Sequence, residues 1–157
     1  MSENKSNSAV LAEFIANGKE FVALAKSISA ADLNKTPIAG EWSPAFVLHH
    51  MCDGEMHFAT RYLNNLAEDS PDIFPFNEDI YPERLNYANR DALASLAAIE
   101  GIQIANASIL KAVRENDWAR TSKHVDRGLM TLTQLVETAS GHSKSHAGQL
   151  QGLIDAL

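Results

Sequence analysis

A single cysteine, Cys52, occurs in 157 residues, so no intrachain disulfide can staple the fold and the usage suits a reducing compartment. Basic clusters are missing as well. Thirteen Lys and Arg are scattered among 20 Asp and Glu, for a formal net charge of −7. A phosphate-tracking surface for nucleic acid is therefore not expected, and neither is a basic membrane-surface helix. No uninterrupted apolar run is long enough to cross a bilayer. The opening stretch MSENKSNS is polar and lacks the apolar centre of a signal peptide. These absences predict a soluble cytoplasmic protein with neither a nucleic-acid nor a membrane partner. Also absent are a phosphate-binding glycine loop, a dinucleotide fingerprint and a nucleophile elbow. Alternating β-type runs, internal repeats and low-complexity linkers are not found either.

What is present is helical spacing. With 45% apolar residues, the chain can bury one core, and a single domain over 1–157 is expected, with residues 1–7 flexible. A first helix is predicted over Ser8–Ser29, with Leu11, Phe14, Phe21, Val22, Ala25 and Ile28 on one stripe and Gly18 interrupting it. Pro37 and Gly40 break the chain after it. In EWSPAFVLHHM, Ser43 can cap a second helix and Pro44 suits its first position. That helix should reach about Leu66, with Val47, His50, Met51, Gly54, Phe58, Arg61 and Tyr62 facing inward. Pro71, Pro75 and Pro82 then interrupt the long segment 67–87, and a segment of that length suits a lid. A third helix is expected from Asn89 or Arg90 to Glu115, close-packed through Gly101 and several alanines. Thr131 and Gln134 form a capping-box pattern ahead of a fourth, whose stripe reads Leu132, Leu135, Ala139, His142, His146, Leu150 and Leu153. The spacing predicts an all-α protein, an antiparallel four-helix bundle.

Histidines stand where leucines would be expected. In GHSKSHAGQL, His142 and His146 lie four residues apart, about 6 Å along one helix face. His50 sits between Val47 and Met51 on the second helix's stripe. Surface residues, ordinary core histidines and ligands of one ion are all compatible with the HxxxH spacing alone. Three inward imidazoles are costly unless each finds a partner. One divalent ion would satisfy all three and leave a fourth position for water or substrate. Gln149, a poor ligand, would orient a water or a neighbouring ring. Asp53, one turn past His50, could steady a ligand imidazole, add a fourth ligand, or be a surface charge. His57 lies about 10.5 Å from His50 along the axis, too far to share its ion, and could line the pocket or be a half-buried packed ring. Arg61 could bind an anionic group or pair near the bundle end. Glu55 lies about 140° from His50 and is expected to pair with another helix or with solvent, Cys52 reads as a packed residue, and His124 reads as a solvated loop residue.

Trp42, Ser43, Pro44, His50, Asp53 and Glu55, followed much later by His142, His146 and Gln149, resemble the DinB/YfiT-like superfamily of metal-dependent enzymes. The likeness covers the helix plan end to end, with two specific motifs. It implies a four-helix bundle in which His50, His142 and His146 bind one divalent metal ion, zinc or nickel. It also implies a small-molecule substrate, homodimer formation, and hydrolysis or thiol-dependent S-transfer with a low-molecular-weight thiol such as bacillithiol, mycothiol or glutathione. A non-catalytic, stress-related metal- or ligand-binding bundle is the alternative. The chain departs from the pattern at Ser145, where relatives carry an aromatic residue, and in the additional His49 and His57. Alignment on the motif favours His50 over His49 as the ligand.

Overall fold

The computed structural model describes residues 5–157. Four long helices dominate: α1 (Asn7–Ser27), α2 (Pro44–Ala67), α4 (Ala92–Lys111) and α5 (Leu132–Asp155), with a single-turn α3 (Tyr81–Arg84) between α2 and α4. Their starts follow local chemistry. The Ser43 hydroxyl accepts from Phe46 N–H, with Pro44 at the first helical position. Asp91 caps α4 by accepting from Leu93 and Ala94 N–H. Thr131 and Gln134 form the reciprocal capping box at α5, with both of its hydrogen bonds made. Of the stretch expected to be flexible, residues 1–4 lie outside the described residues; Ser6 caps α1 and Asn7 is its first residue.

Helix α1 packs on α5 and α4, and α2 packs on α4 and α5. Side-chain pairs fix the directions. Asn7 meets Thr133 and Asn17 meets Ser140, so α1 and α5 run parallel. His49 meets Ser95 and Glu55 meets Gln103, so α2 and α4 also run parallel. The two pairs oppose each other, as Lys26–Glu100 and the approach of Gly18 to Gln103 show for α1 and α4. The uniformly antiparallel arrangement expected from the sequence is therefore corrected to up-down-down-up. Periodicity reports which face of a helix is buried and is silent on its direction. Parallel neighbours need a crossover, which explains the long segment between α2 and α4. It must carry the chain back along the bundle.

The all-α expectation needs a second correction. A small three-stranded sheet closes one end: β1 (Asp72–Ile73) pairs parallel with β2 (Thr121–His124), which pairs antiparallel with β3 (Gly128–Thr131). Strands of two to four residues are too short to show a period-2 signal.

Two apolar clusters fill the bundle. Phe21, Leu48, Met51, Ile99, Leu150 and Leu153 belong to one; Phe14, Tyr62, Leu110, Trp118, Leu132 and Leu135 belong to the other. Between them every long helix contributes polar residues: Asn17 from α1, Asp53 and Glu55 from α2, Gln103 and Asn106 from α4, and Ser140, His142, Ser143 and His146 from α5. Gly18, which weakened the helix signal, has a steric reason here: a Cβ there would come within 2.9 Å of Gln103 Oε1. The close packing expected at Gly101 is not found, since Gly101 is exposed with open space around it. Helix α4 is also long and apolar enough by length and composition to cross a membrane, contrary to the sequence reading. In the fold it forms one wall of the bundle, with Ser95, Leu96, Ile99, Asn106 and Leu110 buried.

Candidate metal centre

The polar layer opens on one side into a histidine cluster. His50 comes from α2, and His142 and His146 from successive turns of α5. His50 Nε2 lies 3.0 Å from Nε2 of both His142 and His146. His146 Nδ1 lies 2.7 Å from Gln149 Oε1, which can only accept, so Nδ1 is the donor and Nε2 is turned toward the other two rings. Burial, with His146 nearby, pulls the His50 pKa down to about 4; burial and the other two rings pull that of His142 down to about 3. Both rings are neutral at pH 7. Three Nε2 atoms then face one another, and one shared ring proton cannot satisfy all of them. A divalent ion can, so the donor set fits such a metal. Gly54 makes room for the cluster: a Cβ there would lie 3.1 Å from His142 Cε1. The rest of the His142 ring is flanked by Phe58, with centroids 5.7 Å apart.

The sequence model of the DinB superfamily matches residues 13–150. The chain belongs to the DinB superfamily. Among similar proteins, one from Oceanobacillus iheyensis is 28% identical over 115 residues, 73% of this chain and 66% of the relative. One from Geobacillus thermodenitrificans is 30% identical over 115 residues, 73% of this chain and 65% of the relative. Both are named, provisionally, as metal-dependent hydrolases. The matched stretch is thus just under two thirds of these relatives' own length. Among solved structures, YfiT from Bacillus subtilis, described as a probable metal-dependent hydrolase with an unusual four-helix bundle topology, superposes with a TM-score of 0.83. It is 19% identical, over 98% of this chain and 89% of that one. A mycothiol-dependent maleylpyruvate isomerase superposes with a TM-score of 0.75 at 11% identity, over 93% and 61%. These two likenesses are of fold.

Around the DinB histidines, the other expected residues divide into those nearby and those engaged elsewhere. Gln149 orients a neighbouring ring, that of His146. Asp53 is not hydrogen-bonded to any histidine: Arg90 grips both its oxygens at 2.9 and 3.0 Å, and the Tyr87 hydroxyl donates to it at 2.7 Å. His49 turns to the α4 side and pairs through Nδ1 with the Ser95 hydroxyl at 2.8 Å. His57 pairs through Nε2 with the Tyr81 hydroxyl at 2.9 Å and stacks on Phe76, with centroids 3.9 Å apart and planes 4° from parallel. Arg61 lies against the Phe58 and Phe76 rings and donates to the Phe74 carbonyl. Among the described residues it has no carboxylate at ion-pair distance. Cys52 is buried, and burial raises its thiol pKa.

A cavity of about 440 Å³ adjoins the cluster, walled by Phe58, Arg61, Phe76, Glu78, His124 and His142 among others. His124 is a correction. It is buried in β2, with Nδ1 accepting from Asp126 N–H at 3.1 Å, and is not a solvated loop residue. Glu78 was missed altogether. Its Oε2 lies 3.7 Å from His50 Nε2. Nothing in the spacing around Glu78 could have found it, because the contact depends on the crossover running over the middle of the bundle.

Of the two expected surroundings, another helix or solvent, Glu55 takes the first and reaches α4. Gln103 Nε2 donates to its Oε1 at 3.0 Å, while Oε2 is buried with no partner among the described residues. Burial drives its pKa up to about 7, the Gln103 hydrogen bond partly opposing. The unfolded chain loses this proton near the ordinary carboxylate value, and the folded chain holds it longer. The stabilisation linked to the proton is therefore complete below about pH 4.5 and lost as pH rises through 7. Against wild type, Glu55→Gln is expected to gain on the order of 3 kcal/mol between pH 4.5 and pH 8. Urea titrations of both proteins at the two pH values measure this difference. Parallel pH profiles would show that Glu55 is ionised in the fold.

Proposed function

We propose that this DinB-superfamily chain is a divalent-metal-dependent enzyme, with His50, His142 and His146 as ligands, hydrolysing a small molecule bound in the adjoining cavity. The convergence of three imidazole Nε2 atoms at the cavity wall carries this reading. The hydrolase names of the relatives support the choice of reaction. A bound ion would supply Lewis acidity and would activate water for attack near neutral pH.

The chain's own residues supply the rest. Gln149 holds the His146 tautomer. Phe58 and Phe76 give the cavity apolar walls, and the Arg61 guanidinium suits an anionic group on the substrate. The finer reading is zinc or nickel as the ion, in a single cytoplasmic domain that pairs as a homodimer. S-transfer from a low-molecular-weight thiol is the second reaction to test, prompted by the thiol-dependent isomerase that shares the fold.

Elemental mass spectrometry of protein purified without chelator or affinity tag tests the centre. About one zinc or nickel per chain is expected, absent from the triple variant His50→Ala, His142→Ala, His146→Ala. Metal-loaded wild type would then be assayed on ester, amide and thiol-transfer panels. Equal metal content in wild type and variant would sink the reading.

A further inference from the structure

The crossover between α2 and α4 is tied down on both sides of Glu78. Before it, Phe76 lies stacked on His57 and under the Arg61 guanidinium, whose centre is 5.7 Å from the ring. After it, the Tyr81 hydroxyl bonds His57, and the Tyr81 ring stacks on Phe76 with centroids 5.7 Å apart. Asn77 further shapes the turn, its side-chain oxygen accepting from Asp79 N–H. The anchors on α2, His57 and Arg61, sit about two and three turns past His50. They leave Glu78 bridging from the anchored aromatics to the histidine cluster, with Oε2 at 3.7 Å from His50 Nε2 and the side chain half exposed.

We propose that Glu78 is the fourth ligand of the ion held by His50, His142 and His146, delivered by the crossover, and that substrate reaches the ion by displacing it. This rests on the metal-centre reading above. Two ligand atoms sharing a tetrahedral ion, at bonds of about 2.0–2.2 Å, lie about 3.4 Å apart. The distances from His50 Nε2 to its histidine neighbours, 3.0 Å, and to Glu78, 3.7 Å, bracket that value. Among the described residues only the three histidines hold all their ligand atoms within 4.8 Å of one another, so Glu78 joins the ion by a further swing of its half-exposed side chain toward the two α5 rings.

Charge argues the same way. Three neutral imidazoles leave both positive charges of a divalent ion uncompensated where His50 is almost fully buried. A carboxylate offsets one of them. Its place on a crossover loop, not on a bundle helix, makes it the ligand that can leave. Glu78 also lines the cavity, so a substrate oxygen entering there meets the position that the carboxylate occupies.

The test uses the full chain, stripped of metal and titrated with Co²⁺ and Zn²⁺. Wild type, Glu78→Gln, Glu78→Ala and the neighbouring control Asp79→Asn are compared. The readouts are the visible absorption of bound Co²⁺ and the Zn²⁺ dissociation constant, measured by competition with a chromophoric chelator. Wild type and Asp79→Asn are expected to share one Co²⁺ spectrum and one affinity. Both Glu78 variants should change the Co²⁺ bands and bind Zn²⁺ at least tenfold more weakly, the minimum expected even of a supporting contact (about 10–100-fold). If the Glu78 variants match wild type in spectrum and affinity, Glu78 is not a ligand and the three-histidine centre stands without it. Equal losses in Asp79→Asn would reduce the effect to loop charge and overturn the proposal. A wild type that takes up neither ion would instead overturn the metal reading itself.

Discussion

Zinc added to chelator-stripped protein is expected to raise its melting temperature by roughly 10 °C, and His146→Ala is expected to lose nearly all of that gain. An ion that binds only the folded chain stabilises by mass action, about 4 kcal/mol at a thousandfold excess over the dissociation constant. In a domain of this size, 1 kcal/mol shifts the midpoint by about 2–4 °C. The gain should be large because the three Nε2 atoms are already assembled in the fold, at 3.0 Å from His50 to each neighbour. No such arrangement exists in the unfolded chain. Removing His146 leaves two imidazoles on different helices. Removing only its support is milder: Gln149→Ala frees the ring to rotate and to move its proton, and should weaken binding about 10–100-fold. Scanning calorimetry with and without zinc measures both variants. A wild type whose melting curve ignores zinc, nickel and manganese alike would leave the cluster as three histidines hydrogen-bonded to each other.

How much of this was legible in the sequence varies with the range of the interaction. Helix starts were, because Ser43, Pro44, Thr131 and Gln134 act within one turn of themselves. The end of the third helix was not: it stops at Lys111, short of the expected Glu115, and a separate 3₁₀ helix follows at Glu115–Ala119. The clustering of His142 and His146 was legible too, since their spacing alone puts them on one face. That His50 and not His49 joins them came from the motif, and the geometry agrees: adjacent residues leave the helix about 100° apart, and His49 faces Ser95 on α4. Helix direction, the small sheet and the course of the crossover were out of reach. Each depends on pairings between residues far apart in the chain, such as Asn17 with Ser140 or Lys123 with the Pro71 carbonyl. Burial of His124 and the approach of Glu78 follow from those pairings and were missed with them. Pro71, Pro75 and Pro82 mark the long crossover in the sequence, and its length suits a lid. Its length has a topological cause as well, the parallel course of α2 and α4.

Asp53 shows where motif and structure part, and it sets the second large effect. Asp53→Ala is expected to destabilise the protein by about 3 kcal/mol while leaving zinc affinity within a few-fold of wild type. Loss of one partner from a buried ion pair costs about 3–5 kcal/mol, because the other charge is left unpaired. The lower end applies here, since the Arg90 side chain is still 26% exposed against 10% for Asp53. Two groups lose their acceptor together: Arg90, held bidentately, and the Tyr87 hydroxyl. Burial and its hydrogen bond to Asp53 keep the Tyr87 phenol far above its ordinary pKa, so it remains a donor with nowhere else to donate. Together these contacts tie the middle of α2 to the end of the crossover just ahead of α4. Tyr87→Phe removes one of the hydrogen bonds and should cost only about 1 kcal/mol. Asp53→Asn keeps the shape and one acceptor and should fall between the two. Urea denaturation of the metal-free proteins measures stability, and chelator competition measures zinc affinity. A variant that folds as firmly as wild type but binds zinc tenfold more weakly would return Asp53 to the metal site. A loss of stability with intact affinity makes it the latch of the crossover.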